Sequence, residues 1–322
     1  MSRQLKLAAA LPFLAVIVAA AGDQRVNLLP KLQPGQVLNY LVHFQSDKKV
    51  KTESNVVVPL GPNAARVDAH GLLRIEILAV RQADGKPVVH GRAEFLTPQA
   101  EPPKKLEYKN PSQAAPRPVS ASKAIEFTIS SSGAFEQLSG LDVLSPDQQQ
   151  AWQEWAARFA AAWTLPALGA KIGEKWKSED LEPGASPIAA LSWQRDSSYV
   201  RNEPCRASQL SITGEFSPVS GPYDSCAVLL TSAKLTQRSS PKDSTPEDFK
   251  IHELKTMGTA KGSNEMITYI SLTTGLVVRA TEEATQQMDV VVAKTDGSNR
   301  VHYNVDATSH SEVLLITPLA SP

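Results

Sequence analysis

The chain has 322 residues, with 33 Lys plus Arg against 33 Asp plus Glu and so no formal net charge. That balance excludes the basic excess on which nucleic-acid and anionic-membrane partners depend. Hydrophobic residues make up 42%, enough for a sizeable core, so a chain disordered throughout is excluded as well.

The first residues carry the pattern of an export leader. Met1 to Lys6 holds Arg3 and Lys6 and no acid, and Leu7 to Ala20 is an uncharged apolar run. Small residues at Ala19 and Ala21 predict cleavage after Ala21 or Gly22, which makes residues 1–21 a signal peptide. The apolar run is too short for a transmembrane helix, and no stable membrane span is expected after cleavage. Residues 22–34 are read as an amino-terminal extension. Residues 35–318 then form a single β-rich domain.

Period-two alternation dominates that domain. Leu38, Tyr40, Val42 and Phe44 share one strand face, with Asn39, His43 and Gln45 on the other. Leu73, Ile75, Ile77 and Ala79 repeat the pattern, as do Val89, Ala93 and Phe95. Asp84-Gly85 between those runs predicts a hairpin turn. Six prolines between Pro98 and Pro118 mark residues 98–122 as a long loop, since proline removes ladder donors. Ile125, Phe127 and Ile129 form the next strand, ended by Ser130-Ser131-Ser132-Gly133.

The rhythm then changes to a helix over 146–164. Ser145 is placed to cap it, Pro146 to open it, and Gln148 to complete a capping box. Trp152, Trp155, Ala156, Phe159, Ala160 and Trp163 recur at helical spacing as one apolar stripe. Leu165-Pro166 stops the helix. Trp152, Trp155, Phe159 and Trp163 have two readings, core packing against the sheet or the wall of a ligand groove; core packing is preferred. Gln149, Gln153 and Arg158 are expected to face water.

Beyond the helix, Cys205 and Cys226 are the only cysteines. In an exported chain such a pair is expected to form a disulfide. Gln237 to Asp248 is a second Pro/Ser-rich loop, and residues 237–248 are assigned accordingly. Met266, Thr268, Ile270 and Leu272 alternate, as do Val301, Tyr303, Val305 and Ala307 after a second Asp-Gly turn at Asp296-Gly297. Short turns between strands imply antiparallel pairing. The expected class is mostly β (α+β): a curved antiparallel sheet or half-barrel packed on one long amphipathic helix.

The order of pieces supports a resemblance. Ile125-Glu126-Phe127-Thr128-Ile129 runs into Ser132-Gly133, then come the helix and Leu165-Pro166, Gly173-Glu174-Lys175-Trp176, and Thr274-Gly275-Leu276-Val277. This order resembles that of secreted bacterial β-rich proteins of unknown function. More distantly it is similar to the half-barrel of periplasmic lipoprotein carriers. The likeness spans residues 123 to 307. It implies a curved sheet enclosing helices and an apolar cavity, with ligands entering between sheet and helix, and it supplies no catalytic residue.

Sites with fixed local spacing are missing from the sequence. The six histidines, 43, 70, 90, 252, 302 and 310, never form HxH, HExxH or HxxxH, so no local zinc pair is expected. Gly-x-Ser-x-Gly and Gly-rich phosphate loops do not occur. Glu282 and Glu283 adjoin, but neighbours on a strand face opposite ways and do not make a dyad. The expectation is therefore no catalytic residue, no metal and no cofactor. The preferred function is non-enzymatic binding of an apolar small molecule or an envelope protein, in a periplasmic or extracellular chain. The alternatives are a structural or surface-interaction protein with a filled core, and a hydrolase whose site residues are dispersed.

Overall fold

The structure is a computed structural model. It describes residues 25–55, 64–96, 124–181, 186–205, 207–210, 216–219 and 224–317. The leader and the 98–122 loop lie outside the described residues. In chain order the strands are β1 (Val37–Ser54), β2 (Ala64–Ala83), β3 (Lys86–Phe95), β4 (Ile125–Ile129) and β5 (Phe135–Ser139). The helix α1 (Pro146–Ala160) follows, running on as a 3-10 turn over Ala161–Thr164. The second half contains β6 (Lys175–Leu181), β7 (Leu191–Pro204), β8 (Ala207–Leu210), β9 (Phe216–Val219) and β10 (Ser225–Gln237). A short helix α2 (Glu247–Ile251) leads to β11 (Leu254–Ser271), β12 (Val277–Lys294) and β13 (Val301–Thr317).

These strands make one large open sheet, mostly antiparallel and not closed. Its main path runs β5-β4-β3-β2-β1-β13-β12-β11-β10-β7-β6. β8 branches off as a parallel partner of the end of β13, and β9 pairs with β8. The order is nearly that of two meanders laid side by side. Chain neighbours pair within each half, and the first and last long strands, β1 and β13, form the seam.

Local sequence explains the main turns. Asp84 and Gly85 both take positive φ, 54° and 73°, as a two-residue hairpin between right-twisted strands requires. The alternation of β2 holds from Leu73 to Ile77, all fully buried. It then breaks, because a bulge between Ile77 and Ala79 shifts the pairing with β3 and leaves Ala79 exposed.

The helix start has the expected chemistry. Gln148 N–H donates to Ser145 Oγ at 3.2 Å, and Ser145 N–H donates to Gln148 Oε1 at 3.0 Å. The apolar stripe packs on the inner face of the sheet, where α1 lies against β2 and β1. Trp152, Trp155, Phe159 and Trp163 are at most 3% exposed. They sit in one cluster with Tyr40, Leu73, Ile75, Phe95 and Phe127. Trp155 and Phe159 stack with centroids 4.8 Å apart, and Trp163 Nε1–H donates to Pro87 O at 2.7 Å. Close approach of the helix depends on Gly71, where a Cβ would stand 2.8 Å from Phe95 Cε1 and 3.0 Å from Ala151 Cβ.

One expected helix face is different. Gln153 is exposed, but Gln149 is half-buried and donates to the carbonyls of Leu141 and Leu144. Arg158, expected in water, is buried. Its guanidinium bonds Glu154 Oε2 at 3.1 Å on the same helix and pairs with Glu282 of β12. The cause is the width of the sheet, which reaches under both sides of the helix.

Cys205 and Cys226 are bonded, with Cα atoms 5.0 Å apart, and tie the end of β7 to the start of β10. Residues 25–34 pack against the rest, with Leu28 fully buried and Val26 bridged to Ala170. Residues 238–246 join β10 to α2, and Ser244 and Thr245 within them are buried against Thr256.

Candidate functional site

The helix covers the inner face unevenly. Its contacts are with β1 and β2 and, more sparsely, β13 and β12. Next to its carboxy-terminal half, over β7, β10 and β11, lies a cavity of about 370 Å³. The helix side of the wall is Ala157, Arg158, Ala161 and Thr164, with Leu165 beyond the stop. The sheet side is supplied by inward residues of four strands.

Strand register explains why part of that wall is polar. Ser197, Thr231, Met266, Glu282 and Ser311 stand opposite one another across β7, β10, β11, β12 and β13. One step along the strands, Tyr199, Leu229, Thr268 and Ala280 make a more apolar row. The cavity touches both rows: Leu229, Met266, Ile270 and the half-buried Trp176 give it an apolar side, and Ser197, Thr231 and Thr268 a hydroxyl side. Ser197 and Thr231 share a hydrogen bond of 2.9 Å.

Charge enters at the rim and at the back. Arg195 Nε–H donates to Asp180 Oδ2 at 2.6 Å, and both residues line the cavity. Behind Arg158, Glu282 accepts a hydrogen bond from Asn264 Nδ2, so helix and sheet are joined by Glu154, Arg158, Glu282 and Asn264. Burial pushes the Glu282 carboxyl above the usual range, and the nearby Arg158 charge offsets this only in part. The set is not fully satisfied: Arg158 Nε, Asn264 Oδ1 and Ser311 Oγ are buried without a hydrogen-bond partner. Such orphans are costly, about 1–3 kcal/mol each, unless something fills the space beside them.

The four aromatic residues proposed as a groove are not its wall. Trp152, Trp155, Phe159 and Trp163 fill the covered half, and the cavity begins on the adjacent side of the same helix. The residues that do line the cavity were legible only in part. Met266, Thr268 and Ile270 were read as one strand face, whereas Arg195, Ser197 and Thr231 lie on strands whose mixed composition hides their alternation. A charged residue at an inward position, such as Glu282 in phase with Ala280, is the signal that could have found the polar band.

No protein-family model matches the chain, and no curated protein matches it. Among solved structures, a mutant of Rh. blastica porin is 8% identical, covering 87% of this chain and 100% of that one, with a TM-score of 0.18. Pseudomonas aeruginosa OpdQ is 10% identical, covering 87% and 97%, with a TM-score of 0.16. Scores this low are not a shared fold. What the fold itself defines is a mostly β protein with one open sheet, a disulfide and a helix covering part of one face.

Proposed function

We propose that this chain is exported and binds one small amphiphile, without catalysis, in the cavity beside the carboxy-terminal half of α1. The observation that carries the reading is a mainly apolar cavity with hydroxyl groups along one side and Arg158 in its wall. About 370 Å³ falls at the small end of ligand pockets, which run from about 300 to 1,000 Å³. Leu229, Ile270 and Trp176 suit a short hydrocarbon portion. Thr231 and Thr268, with Arg158 in the same wall, suit an oxygen-bearing head. The open antiparallel sheet with a helix on one face also supports the half-barrel resemblance, in which ligands enter between sheet and helix.

Export rests on the leader and on the Cys205–Cys226 bond, which belongs to oxidising compartments. The mature protein should begin at Gly22 or Asp23 by mass spectrometry; an intact Met1 on protein recovered from the envelope would overturn this part. Native mass spectrometry with added dodecanoic acid tests the binding. A one-to-one adduct is expected, lost in Ala157→Trp, which puts an indole into the cavity from an exposed helix position. No adduct, or an equal one in that variant, makes the chain an interaction scaffold instead.

A further inference from the structure

The outer face of the sheet carries a cluster that local spacing cannot reveal. Pairing of β1 with β2 sets His43 directly opposite His70. Their rings stack, with centroids 4.0 Å apart and planes 14° from parallel. Asp68, two residues before His70 and so on the same face, reaches both: its Oδ1 lies 2.8 Å from His70 Nε2 and 3.2 Å from His43 Nε2. The three ligand atoms all lie within 4.8 Å of one another. Among the described residues this is the one set of three His, Cys, Asp or Glu side chains with that geometry.

We propose that His43, His70 and Asp68 form a site for a single divalent transition ion of the zinc or copper(II) type. The donor set decides the class. Two imidazoles and one carboxylate suit these ions, whereas calcium and magnesium take oxygen ligands. Bond lengths of about 2.0–2.2 Å to zinc place neighbouring ligand atoms roughly 3.3 Å apart in a tetrahedron. The two separations to Asp68 Oδ1 are close to that value, and a rotamer change that turns one imidazole out of the stack brings both ring nitrogens onto a single ion.

The surroundings hold the ligands in place. Gln45 Nε2–H donates to Asp68 Oδ2 at 3.3 Å, which orients the carboxylate from behind. On the next strand His310 lies edge-on to His43 at 6.4 Å, with its Nδ1 2.6 Å from Glu283 Oε1. Since Asp68 and His70 are exposed and His43 half-buried on the side away from the cavity, the fourth position is open to water. A bound ion bridges β1 and β2 across the outer face.

The test is calorimetric titration of the mature chain, free of any polyhistidine tag, with zinc chloride at neutral pH in a buffer that does not bind metals. One ion per chain is expected, with affinity falling at least about tenfold, or 1.4 kcal/mol, in His70→Ala and in Asp68→Asn. His252→Ala, at the end of α2, should leave it unchanged. Zinc should also raise the unfolding temperature of the wild type and not of His70→Ala. Equal zinc binding by wild type and both cluster variants, or none at all, overturns the site. Because dodecanoic acid is read on the opposite face, failure here leaves the amphiphile reading standing, and the reverse also holds.

Discussion

The two halves of the inner sheet face belong to one continuous sheet and are finished differently. Over β1 to β4 the helix lays three tryptophans and a phenylalanine onto Tyr40, Leu73, Ile75 and Phe127, and the interior is closed. Over β7, β10 and β11 the helix contributes only alanines, Thr164 and Arg158, and a cavity remains. One amphipathic helix thus acts as core on one side and as cavity wall on the other. The lesson is that a stripe of large aromatics marks where a helix is anchored. The small residues beside it mark where there is room.

Six substitutions sharpen that contrast, beginning with the largest expected effect. Trp155→Ala should cost about 3–5 kcal/mol in urea unfolding, from lost transfer energy plus the cavity left behind. Trp176→Ala, on the half-buried side, should cost about 1 kcal/mol. Comparable losses at the two positions would erase the distinction between halves.

Arg158→Ala should destabilise by about 3–5 kcal/mol, because it strands the buried Glu282 carboxylate. Gln153→Ala, on the exposed face, should stay within about 0.5 kcal/mol. An Arg158 variant as harmless as the Gln153 one would return that residue to solvent.

Removing the disulfide with Cys205→Ser should lower stability by about 2–4 kcal/mol, as expected for a loop of this size. Thiol titration of the unfolded, unreduced wild type should find no free sulfhydryl, and two titratable thiols would contradict the bond.

The smallest effect is a pH slope. The raised Glu282 pKa means that the folded chain keeps this proton to a higher pH than the unfolded chain does. Its contribution is therefore most favourable below the ordinary Glu value of about 4.3, and stability is lost as pH rises from there through the raised value. Glu282→Gln should flatten that part of the unfolding free energy against pH. A slope unchanged in the variant would assign it to other groups.

Much of the architecture was legible because it depends on local rules. Alternation in β1, β3 and β11, the Asp84-Gly85 hairpin and the Ser145 to Gln148 capping box need only neighbouring residues. The cavity and the histidine cluster depend on register across strands far apart in sequence. Nothing near His43 announces His70, and nothing near Arg158 announces Glu282. The Arg158 error has the same origin: helical spacing gives the angle between side chains, but the breadth of the sheet beneath sets how much of that angle is buried.

Fluorine NMR of protein labelled with 5-fluorotryptophan tests the central claim most directly, because the five tryptophans sample both halves. On addition of dodecanoic acid the Trp176 resonance, at the cavity wall, should shift and saturate, while those of Trp152, Trp155 and Trp163 stay in place. Shifts confined to the three helix tryptophans, or none at any position, would contradict the division into a closed core and an open cavity.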